Sequence, residues 1–185
     1  MERDEHATIR SLAESVAKPW LAWTDEPIEL LHRVFWQYDP RNLQVSVRWL
    51  NGSRMRLPEN LWDECSAALQ FPFWFGRNWN AIVDCLTALD WDRRRSYVLV
   101  VSNAQEVLSE DSEGGLAHFL AVLEIIAVRL AVEFQESFDE RRPPTPFHVV
   151  FHAQPGEDAQ RWQDRLAELR LTVAKLPLRS ESSWT

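Results

Sequence analysis

Hydrophobic positions along the chain recur at helical spacing in some segments and as alternating or continuous runs in others. The first pattern lies near the start, where Ile9, Leu12, Ala13 and Val16 repeat at helical spacing. A proline at position 19 then interrupts the pattern. Helices usually end before a proline, so this segment predicts a short helix over residues 7–17.

Residues 43–50 alternate apolar and polar side chains, which predicts a half-buried strand. A second apolar run covers residues 34–38, and the turn-forming residues 39–42 separate the two runs. This order is typical of a hairpin. Residues 34–38 are equally compatible with the end of a helix that begins near Ile28.

Two helices are predicted between residues 58 and 89. Pro58 suits the first position of one helix, and Pro72 lies beyond its end. Its apolar stripe comprises Leu61, Cys65, Ala68 and Leu69. Asn78 is a good capping residue for the second helix, whose packing face comprises Trp79, Ile82, Leu86 and Leu89. A different face, which we expect to be displayed, carries Asn80, Val83, Asp84 and Thr87 at i, i+3, i+4, i+7 spacing.

The second half of the chain predicts further strands and helices. The continuous apolar run 97–101 is expected of a central parallel strand that is buried on both faces. A helix over residues 116–138 is apolar almost all round, so we expect the sheet to cover one side and the terminal segments another. Residues 147–152 predict a strand, residues 157–170 an amphipathic helix and residues 171–176 a last strand.

This element order, β-α-α-β-α-β, predicts an α/β fold with a small parallel sheet flanked by helices. A length of 185 residues with 45% hydrophobic content suits one domain with a core of ordinary size. We therefore divide the chain into an N-terminal extension (1–42), a central domain (43–152) and a C-terminal extension (153–185).

The formal net charge of −8 disfavours direct binding to nucleic acid and favours a basic partner. The sequence contains no signal segment and no run long enough to cross a membrane, so we expect a cytoplasmic protein. Cys65 and Cys85 lie on apolar helix faces and are expected to be buried thiols in a reducing compartment. A monomer is favoured.

Known catalytic patterns find no match in the sequence. None of the five glycines is spaced for a phosphate-binding loop. His148 and His152 are four residues apart on a predicted strand, at about 3.3 Å per residue, which is too far to share a metal easily. The acids at 84, 90 and 92 lack the regular spacing of a metal-binding loop. We expect no metal, no cofactor and no enzyme activity.

The segment Phe71–Thr87 resembles the barstar family of ribonuclease inhibitors. It joins a proline, aromatic residues, a glycine and an asparagine to a helix that reads Asp-Cys-Leu-Thr. The matched spacing begins at Asn51-Gly52 and continues through Pro58 to Gly76 without a gap. The resemblance covers residues 45–104 well and 114–152 in outline, and it implies a barstar-like α/β fold.

The resemblance also implies a binding site in which Asp84 occupies a phosphate position in the active site of a basic ribonuclease. Trp74 stands where the family has a tyrosine that touches the enzyme, which favours exposure over a place in the core. We expect Gly76 to adopt a positive φ. The implied partner-binding residues are Trp74, Phe75, Gly76, Asn78, Asn80, Val83, Asp84, Thr87 and Glu124; a one-residue shift of the alignment replaces Glu124 by Ile125.

Two departures fall inside this predicted interface. Asn80 stands where the family has a second interface aspartate, and Val83 stands where it has a tryptophan. The resemblance therefore implies a ribonuclease inhibitor or immunity protein whose partner is a ribonuclease-type toxin other than barnase. The alternative is an interaction module that keeps the fold but binds a partner that is not a nuclease.

Overall fold

The computed structural model describes residues 12, 14–37, 45–88, 96–132, 134–135 and 141–176. The strands are β1 (Leu21–Thr24), β2 (Val45–Asn51), β3 (Ser96–Ser102), β4 (Phe134–Gln135), β5 (Arg141–Arg142), β6 (Phe147–His152) and β7 (Ala174–Lys175). The helices are α1 (Ile28–Gln37), α2 (Pro58–Leu69), α3 (Trp79–Ala88), α4 (Gly115–Leu130) and α5 (Glu157–Glu168). Short 3-10 helices cover Gly52–Arg54 and Ala104–Glu106.

Five strands pair in parallel in the order β2-β3-β6-β1-β7. This confirms the predicted α/β fold, and β2, α2, α3, β3, α4 and β6 follow the predicted β-α-α-β-α-β order, with the separate two-stranded sheet of β4 and β5 inserted before β6. All three predicted segments contribute to the five-stranded sheet: segment 1–42 supplies β1, segment 43–152 supplies β2, β3 and β6, and segment 153–185 supplies β7. β1 lies between β6 and β7, although the pattern of residues 1–42 did not predict a strand there.

Helices cover both faces of the sheet, because successive side chains of a strand point to opposite faces. Tyr97, Leu99 and Val101 face the main core, which helices α2 to α5 share. Val98 and Val100 face a second core on the other side, which α1 covers. The prediction that residues 97–101 form a central strand buried on both faces is therefore confirmed.

The predicted helix over residues 116–138 is shorter than expected. α4 ends at Leu130, and β4 follows at Phe134–Gln135 and pairs antiparallel with β5. The backbone N–H of Thr145 donates a hydrogen bond of 2.7 Å to the carbonyl of Leu130. Thr145 thus satisfies a carbonyl group in the last turn of α4, which has no hydrogen-bond partner within the helix.

The expectation that the terminal segments cover the outer side of α4 is wrong. Ile125, Val128 and Val132 are exposed there. The N-terminal segment instead places α1 on the opposite face of the sheet, where Leu31 and Val34 are buried. Apolar strand side chains are available on that face, so α1 buries its stripe against the sheet rather than against α4.

The alternative left open for residues 34–38 is decided in favour of a helix, because α1 continues to Gln37. The predicted turn at 39–42 lies outside the described residues, as do most of the predicted helix 7–17 and Leu89. Strand 147–152 and the amphipathic helix that begins at Glu157 are confirmed. In the part of the chain that the structure describes, no helix has the length and apolar character to cross a membrane.

The two histidines of β6 hold the N-terminal segment against the sheet. His148 is buried, with Nε2 2.8 Å from the Ser15 carbonyl oxygen and Nδ1 3.0 Å from that of Pro19. His152 is also buried, and its Nε2 lies 2.9 Å from the Glu26 carbonyl oxygen. Among the described residues no cluster of His, Cys, Asp or Glu could hold a metal ion.

The His152 contact predicts a pH dependence of stability. Burial lowers the pKa of His152, against the opposing effects of the Glu26 carbonyl, Glu29 and Asp25. The folded state therefore resists protonation, while the unfolded chain takes up a proton near pH 6.5. The stability that depends on neutral His152 is therefore fully present above pH 6.5 and is lost as pH falls through the folded pKa. The free energy of unfolding then falls by at most about 1.4 kcal/mol per pH unit.

Urea unfolding of wild type and His152→Gln between pH 7.5 and 5 checks this expectation. Glutamine can still donate to the Glu26 carbonyl but does not titrate, so the variant should lose less stability on acidification. His118→Gln is the control, because His118 is exposed. Equal acid sensitivity in wild type and His152→Gln would contradict the prediction.

Arg165 of α5 joins the C-terminal segment to the loop after β3. Its guanidinium donates to the carbonyls of Gln105 at 2.9 Å, Val107 at 2.7 Å and Leu108 at 3.1 Å. Burial lowers the pKa of Arg165. The side chain is only partly buried, so its charge remains compatible with this position.

We expect Arg165→Ala to lower the free energy of unfolding by about 1.5–3 kcal/mol, the range for hydrogen bonds to a charged group. Arg165→Lys should recover little, because an ammonium cannot reproduce the planar fork. Arg161→Ala on the same helix is the control, since the Arg161 guanidinium is 59% exposed and its ion pairs with Asp158 and Glu106 lie at the surface, where such pairs contribute about 0–1 kcal/mol. Chemical denaturation measures all three variants, and equal effects at positions 161 and 165 would contradict the expected contribution of the Arg165 hydrogen bonds to stability.

Candidate protein-binding site

The residues between α2 and α3, 71–78, form a braced segment that we call the aromatic turn. α2 ends where Gln70 adopts a left-handed conformation with φ 53°. The N–H of Phe75 then donates to the Pro72 carbonyl at 2.9 Å, closing a tight turn. The rings of Phe71 and Phe75 lie 5.0 Å apart beneath it, and Phe71 is part of the main core. The base of the turn is therefore fixed by packing.

The other end of the aromatic turn is tied to both neighbouring helices. Arg77 forms an ion pair with Asp63 of α2, and this contact lowers the pKa of the Asp63 carboxyl group. The Oδ1 of Asn78 accepts a hydrogen bond of 2.9 Å from the N–H of Ala81, and its Nδ2 donates to the Gly76 carbonyl at 2.9 Å. The predicted cap at Asn78 is thus confirmed.

The expectation of a positive φ at Gly76 is wrong, because the left-handed residue is Arg77, with φ 50°. A side chain at position 76 would nevertheless meet a close contact. An added Cβ would lie 3.0 Å from Nδ2 of Asn78 and 3.4 Å from Cβ of Ala81. Glycine therefore gives the Asn78 side chain room to reach back across the turn.

The tip of the aromatic turn carries two exposed aromatic side chains. Trp74 is 61% exposed, which decides between core and surface for this residue. Phe73 is 101% exposed, and sequence reasoning did not include it in the site. The signal that could have found it is the Pro72–Phe75 turn, since the two central residues of a closed turn lie at its tip. Phe75 is half-buried against the core.

The inner side of α3 packs as predicted, with one addition. Ile82 and Leu86 are fully buried, and Trp79 lies between Trp62 at 4.6 Å and His118 at 4.8 Å, measured between ring centroids. Val83, which we expected on the displayed face, is only 8% exposed and belongs to the main core. The displayed face is therefore narrower than the helical spacing predicted.

Asn80 and Asp84 form the exposed part of that face. Thr87 is half-buried, and its Oγ1 donates to the Val83 carbonyl at 2.7 Å, so the hydroxyl group is already satisfied within the helix. Among the described residues, the Asp84 carboxylate has no ion-pair partner. It lies about 8 Å along the axis from the start of α3, at 1.5 Å per residue.

The predicted second acid, Glu124, lies exposed on α4, the helix that packs against α3. Ile125, the residue that the shifted alignment indicates, is exposed as well. The contact at Glu124 stays a prediction.

The thiols near the site are poor candidates for chemistry. Burial raises the pKa of Cys65 to about 12, with a further contribution from Glu64. Burial also raises the pKa of Cys85, and the neighbouring Asp84 carboxylate adds to the effect. A thiol acts as a nucleophile only as the thiolate, which both environments disfavour. In the part of the chain that the structure describes, the arrangement instead presents exposed apolar rings and the unpaired Asp84 carboxylate, a combination suited to binding a protein surface.

Comparison with known families identifies the central part of the chain. The family model described as Barstar (barnase inhibitor) matches residues 45–152, a region that contains the aromatic turn and α3. No curated protein sequence matches the chain.

Solved structures of similar fold include two of the Aeropyrum pernix ORC2 protein, one of ADPNP-ADP complexes (TM-score 0.52) and one of the ADP form (TM-score 0.59). Each is 13% identical and is matched over 95% of this chain. The chain spans about half the length of these proteins, 46% and 47% respectively. At this identity the likeness is one of fold. The loop after β1 reads Asp25-Glu26-Pro27 and holds neither the glycines nor the lysine of a phosphate-binding loop.

Proposed function

The chain belongs to the barstar family, and we propose that it is an immunity protein that inhibits a basic ribonuclease by occluding the active site. The observation that carries the proposal is that an exposed aromatic tip, Trp74, precedes a helix whose exposed carboxylate, Asp84, has no ion-pair partner among the described residues. The family match places both residues inside the matched region.

In this proposal Asp84 acts as a mimic of a substrate phosphate. A ribonuclease holds its substrate with cationic side chains, and a carboxylate that enters such a groove can accept charge-assisted hydrogen bonds from them. The turn and the exposed face of α3 then fill the groove and exclude RNA. No chemical step is required of the inhibitor, and no cofactor takes part.

The negative charge of the chain also favours a basic ribonuclease as the partner. The net charge of −8 opposes binding to RNA itself and attracts a basic protein. The cation of the aromatic turn, Arg77, is paired with Asp63, so it does not offset the charge of Asp84. We expect association with the ribonuclease to be fast and to slow as salt is added.

The departures at Asn80 and Val83 bear on which ribonuclease is bound. Asn80 is exposed and neutral, so this face carries less charge than the family pattern. Val83 lies in the core, so on this face of α3 the exposed Asn80 and Asp84 remain available to contact a partner. Both features support a ribonuclease other than barnase.

The test is capture from the lysate and medium of the source cell on immobilised wild-type protein, followed by a ribonuclease assay of the bound fraction. A basic ribonuclease that the wild-type chain silences supports the proposal. Immobilised Asp84→Ala is the control and should capture much less of it. Capture of the same non-nuclease by both proteins, or of nothing, would replace the proposal with a module that binds another class of partner.

A further inference from the structure

Phe73 is a large apolar side chain that does not contribute to the packing of the fold. It is 101% exposed, so the ring contributes no burial to either core. Trp74 beside it is 61% exposed. Isolated exposed apolar residues are common, but two adjacent large rings at the tip of one turn form a patch that suits an interface.

The base beneath these rings is held in place. The hydrogen bond from Phe75 to Pro72 closes the turn, and the Phe71 and Phe75 rings pack 5.0 Å apart below it. The ion pair between Arg77 and Asp63 ties the following residue to α2. Since the backbone is already ordered, a partner that binds Phe73 immobilises little more than one ring, which lowers the entropic cost of binding.

The surface around Phe73 has two chemically different parts. The tip of the turn is apolar, and the Arg77 charge next to it is neutralised by Asp63. The exposed face of α3 provides the negative charge, at Asp84. A complementary partner surface therefore has a cationic groove for α3 and an uncharged, apolar recess beside it.

We propose that Phe73 is an anchor of the interface, and that the partner ribonuclease receives its ring in an apolar recess at the rim of the catalytic groove. This inference rests on the proposed function and narrows its partner class. A buried aromatic side chain removes about 150–250 Å² from water. Phe73 is fully exposed and Trp74 is 61% exposed, so the two rings supply roughly 240–400 Å² of the about 800 Å² that each partner buries in a stable complex.

Phe73→Ala is the direct test, with the ribonuclease isolated on the immobilised wild-type chain as the probe. We expect the dissociation constant to rise about 30-fold, the effect of losing an interface hot spot. Phe73→Leu, which keeps an apolar side chain, should raise it only about threefold, by the smaller loss of apolar area. Val132→Ala, which truncates a 55% exposed apolar residue on the α4 side, is the matched control and should have no effect.

Phe73 is 101% exposed and Val132 is 55% exposed, so all three variants should unfold close to the wild-type temperature. An unchanged dissociation constant for Phe73→Ala, together with loss of inhibition by Asp84→Asn, would overturn the anchor and leave the proposed function standing. Absence of any ribonuclease that the wild-type chain inhibits would overturn both. Co-sedimentation of wild type, but not Phe73→Ala, with phosphatidylcholine–phosphatidylglycerol vesicles would assign the ring to a membrane surface and overturn the anchor.

Discussion

Asp84→Asn should weaken inhibition of the partner ribonuclease by about 30- to 5,000-fold, because removing one member of a desolvated charge pair costs about 2–5 kcal/mol. Asp84 is exposed on α3 and unpaired among the described residues, so its carboxylate is free to meet the cations of a catalytic groove. Asparagine keeps the shape of the side chain and one acceptor oxygen but removes the charge. The inhibition constant, measured by a ribonuclease assay at fixed salt, gives the effect directly.

The matched control is Asp164→Asn on α5. Asp164 is also an exposed helical aspartate, and its Oδ1 accepts a hydrogen bond only from Gln160, at 2.8 Å. Both substitutions change the net charge from −8 by one unit, so they alter long-range attraction alike. If the two variants lost the same small amount of affinity, Asp84 would be part of the general charge and not of a specific contact.

Trp162→Ala should lower the free energy of unfolding by about 3–5 kcal/mol, the usual cost of truncating a large buried aromatic residue to alanine. Trp162 is completely buried, and its ring stacks on Phe151 of β6 at 5.1 Å between centroids. It belongs to the C-terminal segment, beyond the region that the barstar family model matches. A loss of this size is a large fraction of the 5–15 kcal/mol that stabilises an ordinary domain.

Trp74→Ala provides the comparison, since the same truncation at a residue that is 61% exposed should cost little stability. Urea or guanidinium denaturation, followed by circular dichroism, measures both. Trp162→Phe should keep most of the stability that Trp162→Ala loses, because a ring still fills the space against Phe151. A Trp162→Ala protein as stable as wild type would show that α5 is not part of the cooperative core.

The fold class was predictable from the sequence because most of its elements have strong local patterns. The apolar run of β3, the proline at the start of α2 and the capping Asn78 all act on residues close to them in the chain. β1 was missed because four residues are too few to show a period. Its parallel pairing with β6, residues that are distant in sequence, is what makes it a strand.

The candidate site was predictable to a lesser degree. Helical spacing grouped Asn80, Val83, Asp84 and Thr87, but spacing alone does not say where a neighbouring helix or strand covers that face. In the structure Val83 is buried in the main core and is not part of the exposed face, and Thr87 is half-buried. Phe73 was overlooked because three aromatic residues in a row look alike in sequence, and only the closed turn separates the exposed pair from Phe75.

The sequence by itself determined the features that depend on near neighbours: the apolar run of β3, the cap of α3 and the resemblance through Thr87. Only the tertiary structure decided that the terminal segments complete the sheet and core, that one side of α4 remains uncovered, and that Phe73 stands free beside Asp84's helix. The reason is that burial depends on which distant segments pack together, and no local pattern specifies that partner.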